Sequence, residues 1–270
     1  MLFIQLFANH KEELTKSETK LANYIASHNE QVIYDTIKSL GESTHTSDAT
    51  IVRLCKKLGF SGFSDLKISL AQESIELNQT NKSKTYYDAS ANLLINAINQ
   101  TRSLIKTDTL NKAIDFLSGA NNIYIFGVGH SGESAKDYEK TWLRSGLIVH
   151  AETDPHVQIQ ISTLMGKSDL VIGLSLSGHT RDTFDSLKVA KDNGAKILTI
   201  SNDLTSPISK LGNVRLQTAV GEFASIGSVS GQVSQLYLCD VLANGYIQKN
   251  HIDSKKIKER AIKAVMDKSI

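Results

Sequence analysis

From residue 15 to about residue 77 the apolar positions recur every three or four residues, and no alternating run lasts long enough for a strand. From Asn122 onward short β-rich runs alternate with helical stretches. The pattern predicts an all-α first part followed by an α/β second part. The boundary falls near residue 80, where Asn78-Gln-Thr-Asn-Lys-Ser-Lys-Thr85 is polar and lacks large aliphatics. Residues 1–77 are therefore expected to form a helical domain, 78–107 a linker and connecting helix, 108–250 an α/β domain, and 251–270 a C-terminal helix.

Within the helical part, Thr15-Lys-Ser-Glu18 has the form of a capping box, so a helix is expected from about Ser17 through Leu21, Tyr24 and Ile25. In residues 37–59, apolar or small residues at 37, 40, 41, 51, 54, 55 and 58 flank a polar break at 43–46, which predicts two helices and a tight turn. Ser47 suits the N-cap of the second helix and Gly59 its C-terminal stop. On that helix Thr50, Arg53, Lys56 and Lys57 are expected opposite Ile51, Leu54 and Leu58, a row of donors suited to a DNA groove. The same pattern also suits an ordinary helical hairpin with a charged outer face.

The second part carries two strand–loop–helix signals. Asn122-Ile-Tyr-Ile-Phe-Gly127 leads into Gly127-Val-Gly129-His-Ser131-Gly132, with helical character from Glu133 to Leu143. Asp169-Leu-Val-Ile-Gly-Leu-Ser-Leu176 is a continuous apolar run suited to a central parallel strand, and it leads into Ser175-Leu-Ser177-Gly178-His179-Thr180. Glycines let the backbone approach an anion, and N–H groups at a helix start present partial positive charge to it. The first loop is not read as the dinucleotide fingerprint, because no acidic residue closes the next strand, expected at Leu147-Ile-Val-His150. Further βα alternation through Gly194–Ser201, Ser206-Pro207 and Val214–Thr218 predicts a three-layer α/β/α domain on a five-stranded parallel sheet.

Composition narrows the classes. In 270 residues, 40% hydrophobic and 21% charged with two prolines, neither a disordered nor a collagenous chain fits. The net charge of +2 gives no strong global attraction to polyanions, so any such site must be local. Residues 1–77 hold eight basic and ten acidic side chains, a balance of −2, whereas 78–107 hold four against one, or +3. Cys55 and Cys239 lie outside any CxxC spacing and read as buried free thiols; no metal or cofactor is expected. The apolar start at Met1–Ala8 has no basic region before it and is too short for a signal peptide, and no window approaches the roughly 20 apolar residues of a membrane span. A cytoplasmic chain without membrane contact is expected.

Leu14-Thr-Lys-Ser-Glu18, the run from Ser47 to Phe60 and Ser61-Gly-Phe-Ser-Asp-Leu-Lys67 together resemble the N-terminal helix-turn-helix domain of RpiR-type bacterial transcription regulators. Residues 108–250, with both loop motifs in order, resemble the sugar isomerase (SIS) domain that accompanies it. The chain departs from that pattern at His45, where a glycine is expected, at Thr46, where an aliphatic is expected, and at Gly41, where alanine is usual. Histidine tolerates positive φ better than most residues, and glycine costs about 1 kcal/mol of helix propensity.

The resemblance implies a regulator of sugar-metabolism genes that binds a double-stranded operator and senses a phosphosugar. It implies DNA contacts by Thr46, Ser47, Thr50, Arg53, Lys56 and Lys57, and a phosphosugar site at Gly127, Gly129, His130, Ser131, Ser175, Ser177, Gly178, His179 and Thr180, with Glu222 either reaching the sugar hydroxyls or standing as a solvated loop carboxylate. His130 and His179 would help bind the anion, with His150 and His156 structural or superficial. The C-terminal helices, with Leu236, Leu238 and Val241 in one and Ile257, Ala261 and Val265 in the other, are expected to pack on the sheet and to supply part of a homodimer or homotetramer interface. The alternative is an aldose–ketose phosphosugar isomerase with a helical appendage, which would need Glu152 or Glu222 paired with one of those histidines. A phosphosugar-binding adaptor whose helices contact protein is a third reading.

Overall fold

A computed structural model of the chain describes residues 2–33, 35–79, 85–219 and 228–266. The chain divides into two compact units, one built on Met1–Ala91 and the other on Asn92–Val220 with Val229–Ile270.

The first unit is helical: α1 (Leu2–His10), a 3-10 turn (Lys11–Glu13), α2 (Lys16–Ser27), α3 (Asn29–Val32), α4 (Ile37–Thr44), α5 (Asp48–Lys57), α6 (Phe63–Gln79) and the start of α7 (Tyr86–Leu104). Its core joins Phe3, Leu21, Ile25, Leu40, Ile51, Leu54, Cys55, Leu58, Leu66 and Leu70. The capping box at Thr15 forms as the sequence predicts: the Thr15 side chain accepts from Glu18 N–H and the Glu18 carboxylate from Thr15 N–H. Ser47 caps α5 by accepting from Thr50 N–H, and Gly59, at φ +91°, ends it. The turn before α5 places His45 in the left-handed region at φ 55°. Gly41 has a reason the sequence did not reveal. A Cβ there would lie 2.8 Å from the carbonyl oxygen of Thr46, whose N–H closes the turn onto Gly41 O at 3.0 Å. The glycine allows the two helices to approach.

The second unit holds α8 (Thr107–Gly119), β1 (Asn122–Phe126), α9 (His130–Leu143), β2 (His150–Glu152), α10 (Pro155–Leu164), β3 (Asp169–Leu174), α11 (Arg181–Asp192), β4 (Lys196–Ser201), α12 (Pro207–Leu211), β5 (Val214–Gln217), α13 (Ser230–Lys249) and α14 (Ser254–Met266). The five strands are all parallel, in the order β2-β1-β3-β4-β5. Alternation sorts the side chains. Ile123, Ile125, Leu170, Ile172, Leu198 and Ile200 pack with α8, α9 and α13, while Phe126, Val171 and Ile197 pack with α10, α11 and α12. All six residues of β3 are buried, as its unbroken apolar run requires of a central parallel strand. α9 is tied to α13 by Tyr138 O–H donating to Gln235 O (2.7 Å) and Trp142 Nε1–H to Cys239 O (3.1 Å), both side chains fully buried.

Three elements differ from the sequence reading. β2 pairs with β1 at His150–Glu152, just beyond the expected run, while Leu147 and Val149 already point into the core. α13 runs to Lys249, and its buried face is Ser234, Gln235, Leu238, Cys239, Leu242 and Ala243, so Leu236 and Val241 sit at its margin. α14 does not pack as a stripe: Ile257 reaches the turn at Gly146, but Ala261 and Ile262 are exposed. Lysine and arginine at 255, 256, 258, 260 and 263 leave that helix too polar to bury.

Candidate functional site

The order β2-β1-β3 places the switch point of the sheet between β1 and β3, since the chain leaves β1 toward β2 on one side and enters β3 on the other. Ligands of open α/β sheets sit at such crevices, beyond the carboxyl ends of the strands. The loops at residues 127–131 and 175–180 follow those two strands.

After β1, Gly129 (φ 56°, ψ −135°) starts α9 three residues earlier than its helical periodicity suggested, putting His130, Ser131 and Gly132 in the first turn. No side chain caps this helix end. Gly127 is needed because a Cβ would lie 2.6 Å from Ser131 O. Ser131 is buried and its Oγ accepts from Gln235 Nε2 at 3.2 Å; His130 is exposed.

After β3, the loop closes on itself. Gly178 N–H donates to Ser175 Oγ (3.1 Å), the hydroxyls of Ser175 and Thr180 lie 3.0 Å apart, and His179 N–H donates to Ser177 Oγ (3.3 Å). His179 Nδ1 contacts Ser177 O at 2.7 Å, which turns the imidazole back on its own loop. Thr180 stands at the N-cap of α11 without a capping side-chain bond. Gly178 combines φ +70° with a Cβ position that would lie 2.0 Å from Ser206 Oγ. The loop is anchored to β4 by Ser175 N–H to Ile200 O (3.1 Å), and to the residue after that strand by Asn202 N–H to Leu176 O (2.8 Å). Glu222 lies outside the described residues.

Together these loops offer hydroxyls and two side-chain-free helix starts, a donor set that matches an anion with several oxygens. Two buried glutamines missed by the sequence reading support the crevice. Gln158 on α10 donates through Nε2 to Gly127 O (3.0 Å) and Glu152 O (2.8 Å), and Gln235 on α13 holds Ser131. Both amide oxygens are buried and unpaired among the described residues. Spacing gives no signal for either, since the buried positions beside them include serines, Ser162 on α10 and Ser234 on α13. His150 stacks obliquely on Tyr124, His156 is exposed, and the Glu152 carboxylate accepts from its own neighbours Thr153 and Asp154 N–H.

In the first unit, Ser47, Arg53 and Lys56 are exposed, but Thr50 is buried and Thr46 is half-buried, its hydroxyl 2.7 Å from that of Thr44. Arg53 and Lys57 are not free donors: Arg53 Nε donates to Glu18 Oε1 (2.8 Å) and Lys57 Nζ to Glu18 Oε2 (2.9 Å) and Glu13 O (2.9 Å). Burial alone would raise the Glu18 carboxyl, but hydrogen bonds from Lys57, Thr15 and Arg53 hold it down to about 2. Cys55 and Cys239 are buried free thiols; desolvation raises Cys55 to about 11 and Cys239 further.

No helix among the described residues is long and apolar enough to cross a membrane. The helix-turn-helix domain of the rpiR family matches residues 1–76, and the SIS domain matches residues 116–245. An HTH-type transcriptional regulator of Clostridium perfringens is 30% identical over 99% of this chain and 100% of its own. The HTH-type transcriptional regulator RpiR of Escherichia coli K12 is 27% identical over 95% of this chain and 90% of its own. The Vibrio vulnificus NanR protein, solved in complex with ManNAc-6P, superposes with a TM-score of 0.76 at 26% identity, covering both chains completely. With its capped α4–α5 pair, its five-stranded parallel sheet and these full-length likenesses, the chain belongs to the RpiR family of helix-turn-helix transcriptional regulators that carry a SIS domain.

Proposed function

We propose that this regulator binds a phosphorylated sugar in the crevice beyond β1 and β3, and that occupancy of the crevice governs binding of a DNA operator by α4 and α5. The observation that carries the reading is the convergence on one switch point of two glycine-shaped loops, each leading into a helix start free of a side-chain cap. Ser131, Ser175, Ser177 and Thr180 would donate to the phosphate with the backbone N–H groups of Gly129 and His130, Gly178 and His179 would orient the serine hydroxyls through their own N–H groups, and Gly127 allows the close turn. The NanR likeness, in a structure holding ManNAc-6P, supports a phosphosugar as the ligand class. On the DNA side, Ser47, Arg53 and Lys56 would approach the duplex from the exposed face of α5, Lys57 and Thr46 would lie at its border, and Thr50 would act through packing.

The protein would release its ligand unchanged and act as a homodimer or homotetramer on a two-fold operator, as a paired helix-turn-helix demands. Residues 1–77 would then serve as the DNA-reading domain, 108–250 as the sensor, and 78–107 as their connection. Thermal melting with ManNAc-6P and with ManNAc tests the sensor. At 100 times its dissociation constant a bound phosphosugar stabilises the fold by about 2.7 kcal/mol. A shift with ManNAc-6P that ManNAc does not reproduce supports the crevice; equal shifts with both would argue against a phosphate site.

A further inference from the structure

We infer that Glu18 is a positioning residue for DNA reading: it holds Arg53 through Nε and leaves both amino groups for the duplex, and it neutralises part of the α5 charge so that base contacts outweigh bare phosphate attraction. The inference rests on the proposed role of α4 and α5 in binding DNA.

Glu18 has no exposed side-chain surface, yet it lies under two cations, one of them 57% exposed and the other 30%. Its two oxygens are divided between them. Oε1 takes Arg53 Nε, and Oε2 takes Lys57 Nζ together with the N–H and hydroxyl of Thr15. The capping box thus fixes the carboxylate to the start of α2, and the carboxylate fixes Arg53 on α5, 35 residues away.

Holding an arginine by Nε leaves Nη1 and Nη2 as a planar fork. Among the described residues the only further contact of that fork is a long approach of Nη2 to Thr50 Oγ1 at 3.5 Å. A fork held this way loses little rotamer freedom on meeting the O6 and N7 edge of a guanine, the commonest specific contact in the major groove. Lys57 is treated differently, because two of the three ammonium protons are taken by Glu18 and Glu13 O, so its charge is already compensated when it meets a phosphate. Glu18 therefore lowers the count of phosphates this face neutralises, and sequence-independent affinity follows that count. The balance of −2 over residues 1–77 fits a domain that does not rely on bulk charge.

The test enriches a site from a random DNA pool with the full-length chain, then measures affinity for that site and for a scrambled duplex at several salt concentrations, for wild type and Glu18→Gln. Glutamine keeps the shape of the side chain and removes the charge. The expected result is scrambled-DNA affinity at least threefold tighter, a salt dependence steeper by about one to two phosphate contacts, and a ratio of selected to scrambled affinity at least tenfold lower. A general structural defect would weaken both duplexes instead, and that result, or an unchanged ratio, would overturn the inference. Should Glu18→Gln melt below the assay temperature, Arg53→Lys carries the test, since it keeps the charge beside Glu18 but lacks the fork. Preference should then fall at one base pair, and an unaltered preference overturns the inference. A wild-type chain that enriches no sequence overturns DNA reading itself, a separate failure.

Discussion

The hydroxyl oxygens of Ser175 and Thr180 lie 3.0 Å apart across the turn that joins β3 to α11. One proton serves that contact, so the second hydroxyl proton is available, and an arriving anion can replace the shared bond by two of its own. Because Gly178 N–H already holds Ser175 Oγ at 3.1 Å, the serine is oriented before any ligand arrives.

Each hydrogen bond to a charged group is worth about 1.5–3 kcal/mol. Replacing Ser175 and Thr180 together by alanine is therefore expected to weaken phosphosugar binding by at least about a hundredfold, while the fold survives because neither side chain belongs to the apolar core. Calorimetric titration checks this, and a loss below threefold would place the phosphate elsewhere.

The Glu18 carboxyl sets a pH dependence for the helical unit. Its folded pKa, about 2, lies below its ordinary value of 4.5, so its contribution is complete above pH 4.5 and is lost as pH falls toward 2. Allowing for solvent at the Arg53 end, the loss should be about 1–2 kcal/mol. Unfolding followed between pH 6 and pH 3 should show a steeper decline for the wild type than for Glu18→Gln; parallel curves would mean the ion pairs add nothing.

His45 holds φ 55° at the end of α4. Left-handed backbone costs a residue with a Cβ about 1–2 kcal/mol, and glycine loses about 0.5–1 kcal/mol in unfolded-state freedom. His45→Gly should stabilise the helical unit by about 0.5–1 kcal/mol, readable in denaturant unfolding. A destabilised variant would show that the imidazole makes a contact worth more than the strain.

Where the sequence was legible, a short-range signal carried it. The capping box at Thr15, the N-cap at Ser47 and the buried strand Asp169–Leu174 each depend on residues within a few positions of one another, and each formed as read. The start of α9 was missed because Gly129 opens that helix through backbone conformation alone, with no capping side chain to announce it. Long-range polar pairings were not legible. Nothing in the spacing says that Arg53 and Lys57 turn back onto Glu18, or that Gln235 reaches Ser131 over 104 residues, since those partners are chosen by packing of helices distant in sequence. The same cause buried Thr50, which helical spacing alone had placed on the polar side.

The central claim, that a phosphosugar in the β1–β3 crevice governs DNA binding, is tested most directly by fluorescence anisotropy on the pool-selected duplex. The titrants are ManNAc-6P, other N-acetylhexosamine and hexose 6-phosphates, pentose 5-phosphates, and the unphosphorylated form of each. Linkage between two sites ordinarily amounts to about 5- to 150-fold in affinity. At least one phosphorylated sugar should shift DNA affinity by fivefold or more, in either direction, its unphosphorylated form should not, and the Ser175→Ala, Thr180→Ala double variant should abolish the shift. DNA affinity that stays constant across the whole panel, or that responds equally to sugars with and without phosphate, would contradict the account.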